Sequence, residues 1–149
     1  MSSLDEVIDK SLSKFDAYYA KKNLKWSKII TIKDQEDKVA GFVELKVKDN
    51  IGIIFYMGIL PQYRGKGYGK RLLKEAERYF LSKGLSYIIA STRSYNKPAL
   101  SLFKKYKRFD IHTVSDDIVY ILDAYDDDVI LCKEISDVKI PCETLVKDF

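Results

Sequence analysis

Apolar residues between Leu4 and Tyr19 recur near helical spacing, at Leu4, Val7, Ile8, Leu12, Phe15, Tyr18 and Tyr19, and predict one amphipathic helix with Ser3 and Asp5 placed to cap it. From Trp26 the pattern changes. Ile29–Ile32 and Val39–Val47 are β-branched runs on either side of the polar stretch Asp34-Gln35-Glu36-Asp37, which reads as a hairpin. After a second polar break at Lys48-Asp49-Asn50, residues Ile51 to Leu60 are almost continuously apolar, as suits a strand buried on both faces at the centre of a sheet.

Pro61 lacks an amide donor and ends that strand, and the polar residues Gln62 to Lys66 follow. A helix starts near Gly67, with Leu72, Leu73, Ala76, Tyr79 and Phe80 as its buried stripe and Gly84 as its C-terminal cap. Leu85 to Ser91 is a short strand, so strand, helix and strand follow one another as in a right-handed parallel crossover. Asn96 before Lys97-Pro98 reads as the N-cap of a short helix whose apolar face is Ala99, Leu102, Phe103 and Tyr106. Phe109 to Val114, Ile118 to Leu122 and Val129 to Ile135 read as strands, which makes the carboxyl end antiparallel. Residues Ser136 to Phe149 show no clear period and are expected to form a C-terminal extension. No repeat or linker interrupts the 149 residues, and a single domain spanning 1–149 is expected.

Composition narrows the class. The apolar runs fall well short of the roughly 20 residues that span a bilayer, and the amino terminus lacks a basic-then-apolar signal pattern, so a soluble cytoplasmic protein with no membrane partner is expected. The 26 basic and 22 acidic residues leave a net charge of only +4, which does not demand a nucleic-acid partner. The clusters Lys21, Lys22, Lys25 and Lys104, Lys105, Lys107, Arg108 are expected to be solvated faces. Cys132 and Cys142 have no metal-like spacing and are expected to be two reduced thiols. His112, the sole histidine, lies in a predicted strand without a nucleophile or metal-like partner, and no metal site or catalytic triad can be assembled.

The chemistry concentrates where the central strand turns into a helix. Gly65, Gly67 and Gly69 alternate there, glycine lets backbone and ligand approach closely, and a helix start offers unpaired amides at the positive end of its dipole: an anion cradle suited to phosphate. Two common phosphate motifs fail. A P-loop needs a glycine five positions before Gly69 and Ser or Thr after Lys70, where Arg64 and Arg71 stand. A dinucleotide fingerprint counted from Gly65 and Gly67 needs its third glycine at Lys70.

The string Ile59-Leu60-Pro61-Gln62-Tyr63-Arg64-Gly65-Lys66-Gly67-Tyr68-Gly69-Lys70-Arg71-Leu72-Leu73 closely resembles the signature of the GNAT family of acetyl-CoA-dependent N-acetyltransferases. A second block, Asn96-Lys97-Pro98-Ala99-Leu100-Ser101-Leu102-Phe103, resembles that family's next motif at the usual separation, and the likeness is strongest over about 51–109. The resemblance implies an α/β fold with a mixed, splayed central sheet and helices on both faces. It implies a CoA pyrophosphate on the backbone of Arg64, Gly65, Lys66, Gly67, Tyr68 and Gly69. The pantetheine would pair with the backbones of Met57 and Ile59, and Gly58 would leave room for the thioester, a bulge being its structural alternative. Asn96 would add a side-chain hydrogen bond to the cofactor beside its capping role, while Arg64 is otherwise a plain surface residue.

The expected reaction is direct acetyl transfer from acetyl-CoA to a protein or small-molecule amine in a ternary complex. Deprotonating that amine at pH 7 costs about 1.4 kcal/mol for an α-amino group and roughly 4.6 kcal/mol for lysine, so a lysine acceptor needs a base. Where some histone-acetylating relatives carry a glutamate, this chain has Ile53. Glu44 is the nearest alternative carboxylate, although a solvent-facing place on its strand is expected for it; Asp123 and Asp126 to Asp128 are further options with turn roles of their own. The family's usual proton-donating tyrosine is Phe103 here, and Tyr106, one helical turn further on the same face, is the substitute. Phe103 also motivates the alternative of a non-catalytic acyl-CoA-binding or sensing module. A homodimer is compatible with all of this.

Overall fold

A computed structural model describes residues 4–149. Its strands are β1 (Lys28–Lys33), β2 (Val39–Lys48), β3 (Ile51–Ile59), β4 (Tyr87–Arg93), β5 (Lys107–Asp110) and β6 (Asp128–Glu134), and they form one mixed sheet in the order β1-β2-β3-β4-β6-β5. The helices are α1 (Leu4–Ser11), α2 (Lys14–Lys22), α3 (Tyr68–Ser82), α4 (Lys97–Leu102), α5 (Asp116–Leu122) and α6 (Cys142–Asp148). Two compact units divide the chain: the described residues up to Lys46 with Ile54–Tyr79, and Val47–Ile53 with Phe80–Phe149. No helix among the described residues is long and apolar enough to cross a membrane.

In the first unit the expected hairpin forms, with Ile29 opposite Glu44 and Ile30 opposite Val43. Asp34 closes its turn by accepting the amides of Glu36 at 2.8 Å and Lys38 at 2.9 Å. Val7, Ile8, Ala17, Ala20, Phe42 and Leu60 make the core of this unit. The single amphipathic helix expected over Leu4 to Tyr19 is instead two, α1 and α2. Ser13 causes the break: its backbone is extended (φ −61°, ψ 160°) and its side chain accepts the Asp16 amide at 3.1 Å, so it caps α2. A cap satisfies a backbone amide that a continuous helix would leave to the ladder, and here it outweighs the unbroken apolar period. Ser3, expected to help cap the first helix, lies outside the described residues.

In the second unit β6 pairs antiparallel with β4 on one side and β5 on the other, Ile89 and Lys107 both lying opposite Cys132. Two expectations are corrected here. Ile118 to Leu122 is helical, because Ser115 accepts the Ile118 amide at 3.2 Å, Asp116 and Asp117 favour the positive end of the helix, and Asp123 ends it in the left-handed region at φ 53°. The strand expected from Phe109 to Val114 stops at Asp110, whose carboxylate accepts the His112 amide at 2.8 Å, so His112 sits in a 3-10 turn. The stretch after Ser136 contains α6, which buries Cys142 and Val146.

Cys132 and Cys142 are joined in a disulfide, not two reduced thiols. Their Cα atoms lie 6.0 Å apart because the start of α6 returns to the middle of β6, a proximity that spacing along the chain does not reveal. Lys107 reinforces the return by bridging Glu134 at 3.3 Å and Glu143 at 2.8 Å, while the Cys142 amide donates to Glu134 at 2.8 Å.

Candidate active site

β3 delivers the chain to a tightly built turn. The Leu60 amide donates to the Ala40 carbonyl at 2.8 Å, Pro61–Tyr63 makes one 3-10 turn, and Arg64 is extended. Gly65 at φ 76° and Gly67 at φ 86° then take the left-handed conformation that other residues resist. Gly69 has no such φ and lies inside α3, so the three glycines differ in role. A Cβ at Gly65 or Gly67 would meet nothing within 4 Å. The turn therefore needs glycine for its φ angles, and the space beside it is open. The 15-residue α3 starts beside it, and the unpaired amides and positive dipole end of a helix start are suited to an anion.

Side chains lock the turn from behind. The Arg64 Nε donates to the Ile59 carbonyl at 3.0 Å and its Nη2 to the Ser11 carbonyl at 3.1 Å, so Arg64 ties the turn to β3 and to the last residue of α1 and is not a plain surface residue. Tyr63 donates its hydroxyl to Asp34 at 2.6 Å, and its ring meets Tyr68 edge-on at 5.5 Å. That hydrogen bond, with burial second, pushes the Tyr63 hydroxyl up to about 12, so it stays a donor. At Gly58 a Cβ would strike the Ser11 hydroxyl and come within 2.8 Å of Phe42. Ser11 and Phe42 thus occupy the side on which a side chain would stand, and glycine is required for their close approach. Met57 and Ile59, the other strand residues named for the cofactor, are half-buried in β3.

Glu44 departs from expectation most. It has no exposed surface, although a solvent-facing strand position was expected. Ser27 donates its hydroxyl to Oε2 at 2.9 Å, and Oε1 is buried without a hydrogen-bond partner among the described residues. Burial pushes the carboxyl up to about 7, against the lowering effects of the Ser27 hydrogen bond and the Lys46 charge. A carboxylic acid balanced near neutral pH, with one oxygen unclaimed, is equipped to take a proton. The signal was present in the sequence: Ala40, Phe42, Val43 and Leu45 are apolar on both strand faces, so β2 is doubly buried and Glu44 with it.

In the second unit Asn96 accepts the Ala99 amide at 3.2 Å and caps α4 as expected. The helix ends at Leu102 with Phe103 as its C-cap, so Tyr106 lies beyond it and does not continue its face. Tyr106 is buried, its ring meeting Phe103 edge-on at 4.9 Å with the Lys133 ammonium 5.5 Å from its centre. Asp123 is the left-handed cap already described. Asp128 is buried and fully engaged: Oδ1 pairs with Arg93 at 2.8 Å and Oδ2 accepts the Tyr125 amide at 3.0 Å. The Arg93 guanidinium also stacks 4.1 Å from the Tyr125 ring centre.

A strand leading through a left-handed glycine turn into a long helix, on a mixed α/β sheet, defines the class. Residues 4–107 match the model of the acetyltransferase (GNAT) family, and the chain belongs to that family. Mycothiol acetyltransferase of Arthrobacter sp. (strain FB24) is 31% identical over 78 residues, 48% of this chain and 24% of that protein. Thialysine N-epsilon-acetyltransferase of Mus musculus is 37% identical over 46 residues, 31% of this chain and 27% of that protein. The aligned regions thus span about a quarter of the length of these relatives. A Bacillus subtilis acetyltransferase solved in complex with CoA shares the fold, with a TM-score of 0.70 and 20% identity over 91% of this chain and 95% of that one.

Proposed function

We propose that this chain transfers an acetyl group from acetyl-CoA directly to an amine, with the CoA pyrophosphate on the amides of Arg64 to Gly69 and Glu44 taking the amine's proton. The observation that carries the reading is the open turn with Gly65 and Gly67 in the left-handed region at the start of α3. The pantetheine runs beside Met57, Gly58 and Ile59. The amine nitrogen attacks the thioester carbonyl, the carbon–sulfur bond breaks, and the nitrogen's proton passes to Glu44. Oε1 suits that step because no described residue hydrogen-bonds to it. The departing CoA thiolate takes its proton from water, since Phe103 stands where the family motif has a tyrosine and Tyr106 is buried against Phe103. The relative named for acetylating the ε-nitrogen of thialysine makes small amines the first acceptors to try.

Calorimetric titration with acetyl-CoA, followed by a free-thiol assay over peptides with free α-amino groups, lysine analogues and polyamines, tests the reading. Binding of acetyl-CoA with thiol release that needs an amine is expected. Turnover unaffected by Gly67→Val, which cannot take the required φ, would remove the turn from the site. Phe103 favours a second reading, a module that binds acyl-CoA without turning it over, and tight binding with no thiol release on any amine would select it.

A further inference from the structure

A groove of about 520 Å³ lies between β1 and α3, lined by residues 30–33 of the strand and by Arg71, Lys74, Glu75 and Arg78 of the helix. β1 stands at the end of the sheet, paired with β2 on one side, so its outer edge presents a row of backbone groups that no other described strand takes up. Ile32 is 8% exposed and Ile30 is half-buried, which gives the groove an apolar floor. Its rim is cationic: Lys33, Arg71, Lys74 and Arg78 against Glu75, four charges to one, a net of +3. Arg78 holds Glu75 at 2.8 Å and Lys33 faces Asp37 at 3.5 Å. Arg71 lies over the Tyr68 ring at 5.3 Å, and Lys74 is exposed.

We propose that this groove docks an extended acidic segment of a partner protein, which adds to β1 as a further strand and turns alternate carboxylates toward Arg71, Lys74 and Arg78. The spacings agree. A rise of about 1.5 Å per helical residue puts Lys74 and Arg78 roughly 6 Å apart along α3, and alternate side chains of a strand are about 6.7 Å apart. The strand edge can be paired only by a backbone with its own N–H and C=O groups, which selects a peptide over a phosphate polymer. None of the described residues that line the groove is aromatic, so they offer no stacking platform of the kind that single-stranded nucleic acid uses. Charged residues beside a strand edge also serve to keep other strands away, and that role alone predicts that no peptide binds.

Fluorescence anisotropy on the full chain separates these outcomes, using a labelled octapeptide of alternating Glu and Val as probe. The expected result is salt-sensitive binding that weakens about tenfold in the Lys74→Glu, Arg78→Glu double variant, whose acetyl transfer to a small amine is unchanged. The same peptide N-methylated at alternate residues keeps its charge but cannot pair with β1, and is expected to lose binding. The proposal is overturned if the acidic peptide does not bind, if the N-methylated or a Lys–Val peptide binds as well, or if a single-stranded oligonucleotide of equal charge binds more tightly.

Discussion

Glu44 on β2 and Asp128 at the start of β6 are both buried carboxylates, yet they are held in opposite ways. Asp128 has a partner on each oxygen, the Arg93 guanidinium and the Tyr125 amide. Glu44 has one hydroxyl on Oε2 and, among the described residues, no hydrogen-bond partner on Oε1. A protein that buries a charge normally satisfies it, as at Asp128, because an unmet carboxylate oxygen costs stability. The exception at Glu44 lies on a strand whose apolar residues are buried on both faces, and it is the group proposed above for chemistry, while the satisfied Asp128 is part of the scaffold.

The sharpest break of that contrast is Glu44→Gln. If Glu44 is the base, thiol release with a lysine-like amine falls about 100- to 1000-fold, or roughly 3–4 kcal/mol. In the wild type the activity rises with pH through about 7, as the carboxyl ionises, and that rise is expected to vanish in the variant. A variant with an unchanged profile would sink the assignment.

Stability is expected to run the other way with pH. The folded chain keeps the Glu44 proton to about pH 7, whereas the unfolded chain releases it near the ordinary 4.5, so ionising the buried group opposes folding. The contribution of this site is complete below 4.5 and is lost as pH rises toward 7, on the order of 3 kcal/mol. Urea titrations across that interval should show the loss in the wild type and not in Glu44→Gln. Equal pH dependence in both would place the raised proton affinity elsewhere.

Asp128→Ala is the structural counterpart. It removes the ion pair with Arg93 and the carboxylate that accepts the Tyr125 amide, and a fall of about 2–3 kcal/mol in unfolding free energy is expected, since the Arg93 side chain is 27% exposed and solvent offsets part of the loss. A large loss of kcat with no loss of stability would reverse the roles given to the two carboxylates. The smallest effect belongs to Ser27→Ala. Its hydroxyl favours the ionised form of Glu44, so removing it should move the activity inflection upward by about half to one pH unit. A downward movement would show that the hydroxyl does not act on Glu44 as the 2.9 Å contact implies.

The glycine turn was legible because its signals are local. Gly65 and Gly67 adopt their φ angles within a few residues of chain, and Pro61, Gly84 and Asn96 punctuate the neighbouring elements through their own backbones. The misread stretches also carried local signals, but apolar periodicity masked them. Ser13 divides α1 from α2, and Ser115 with Asp116 and Asp117 starts a helix over residues that look β-branched. Capping is decided by one hydrogen bond, which a count of apolar positions does not register.

By itself the sequence determined the alternation of strands and helices from β1 to α4, the glycine turn and the family, because each rests on residues close together in the chain. Only the tertiary structure decided that one oxygen of Glu44 finds no partner among the described residues, that Arg64 reaches back to Ser11, that Ser11 and Phe42 crowd Gly58, and that Cys132 meets Cys142. Those are outcomes of packing between elements distant in sequence. Hydrogen-bond partners and close approach are set by what the rest of the fold places overhead, and no window of neighbouring residues contains that information.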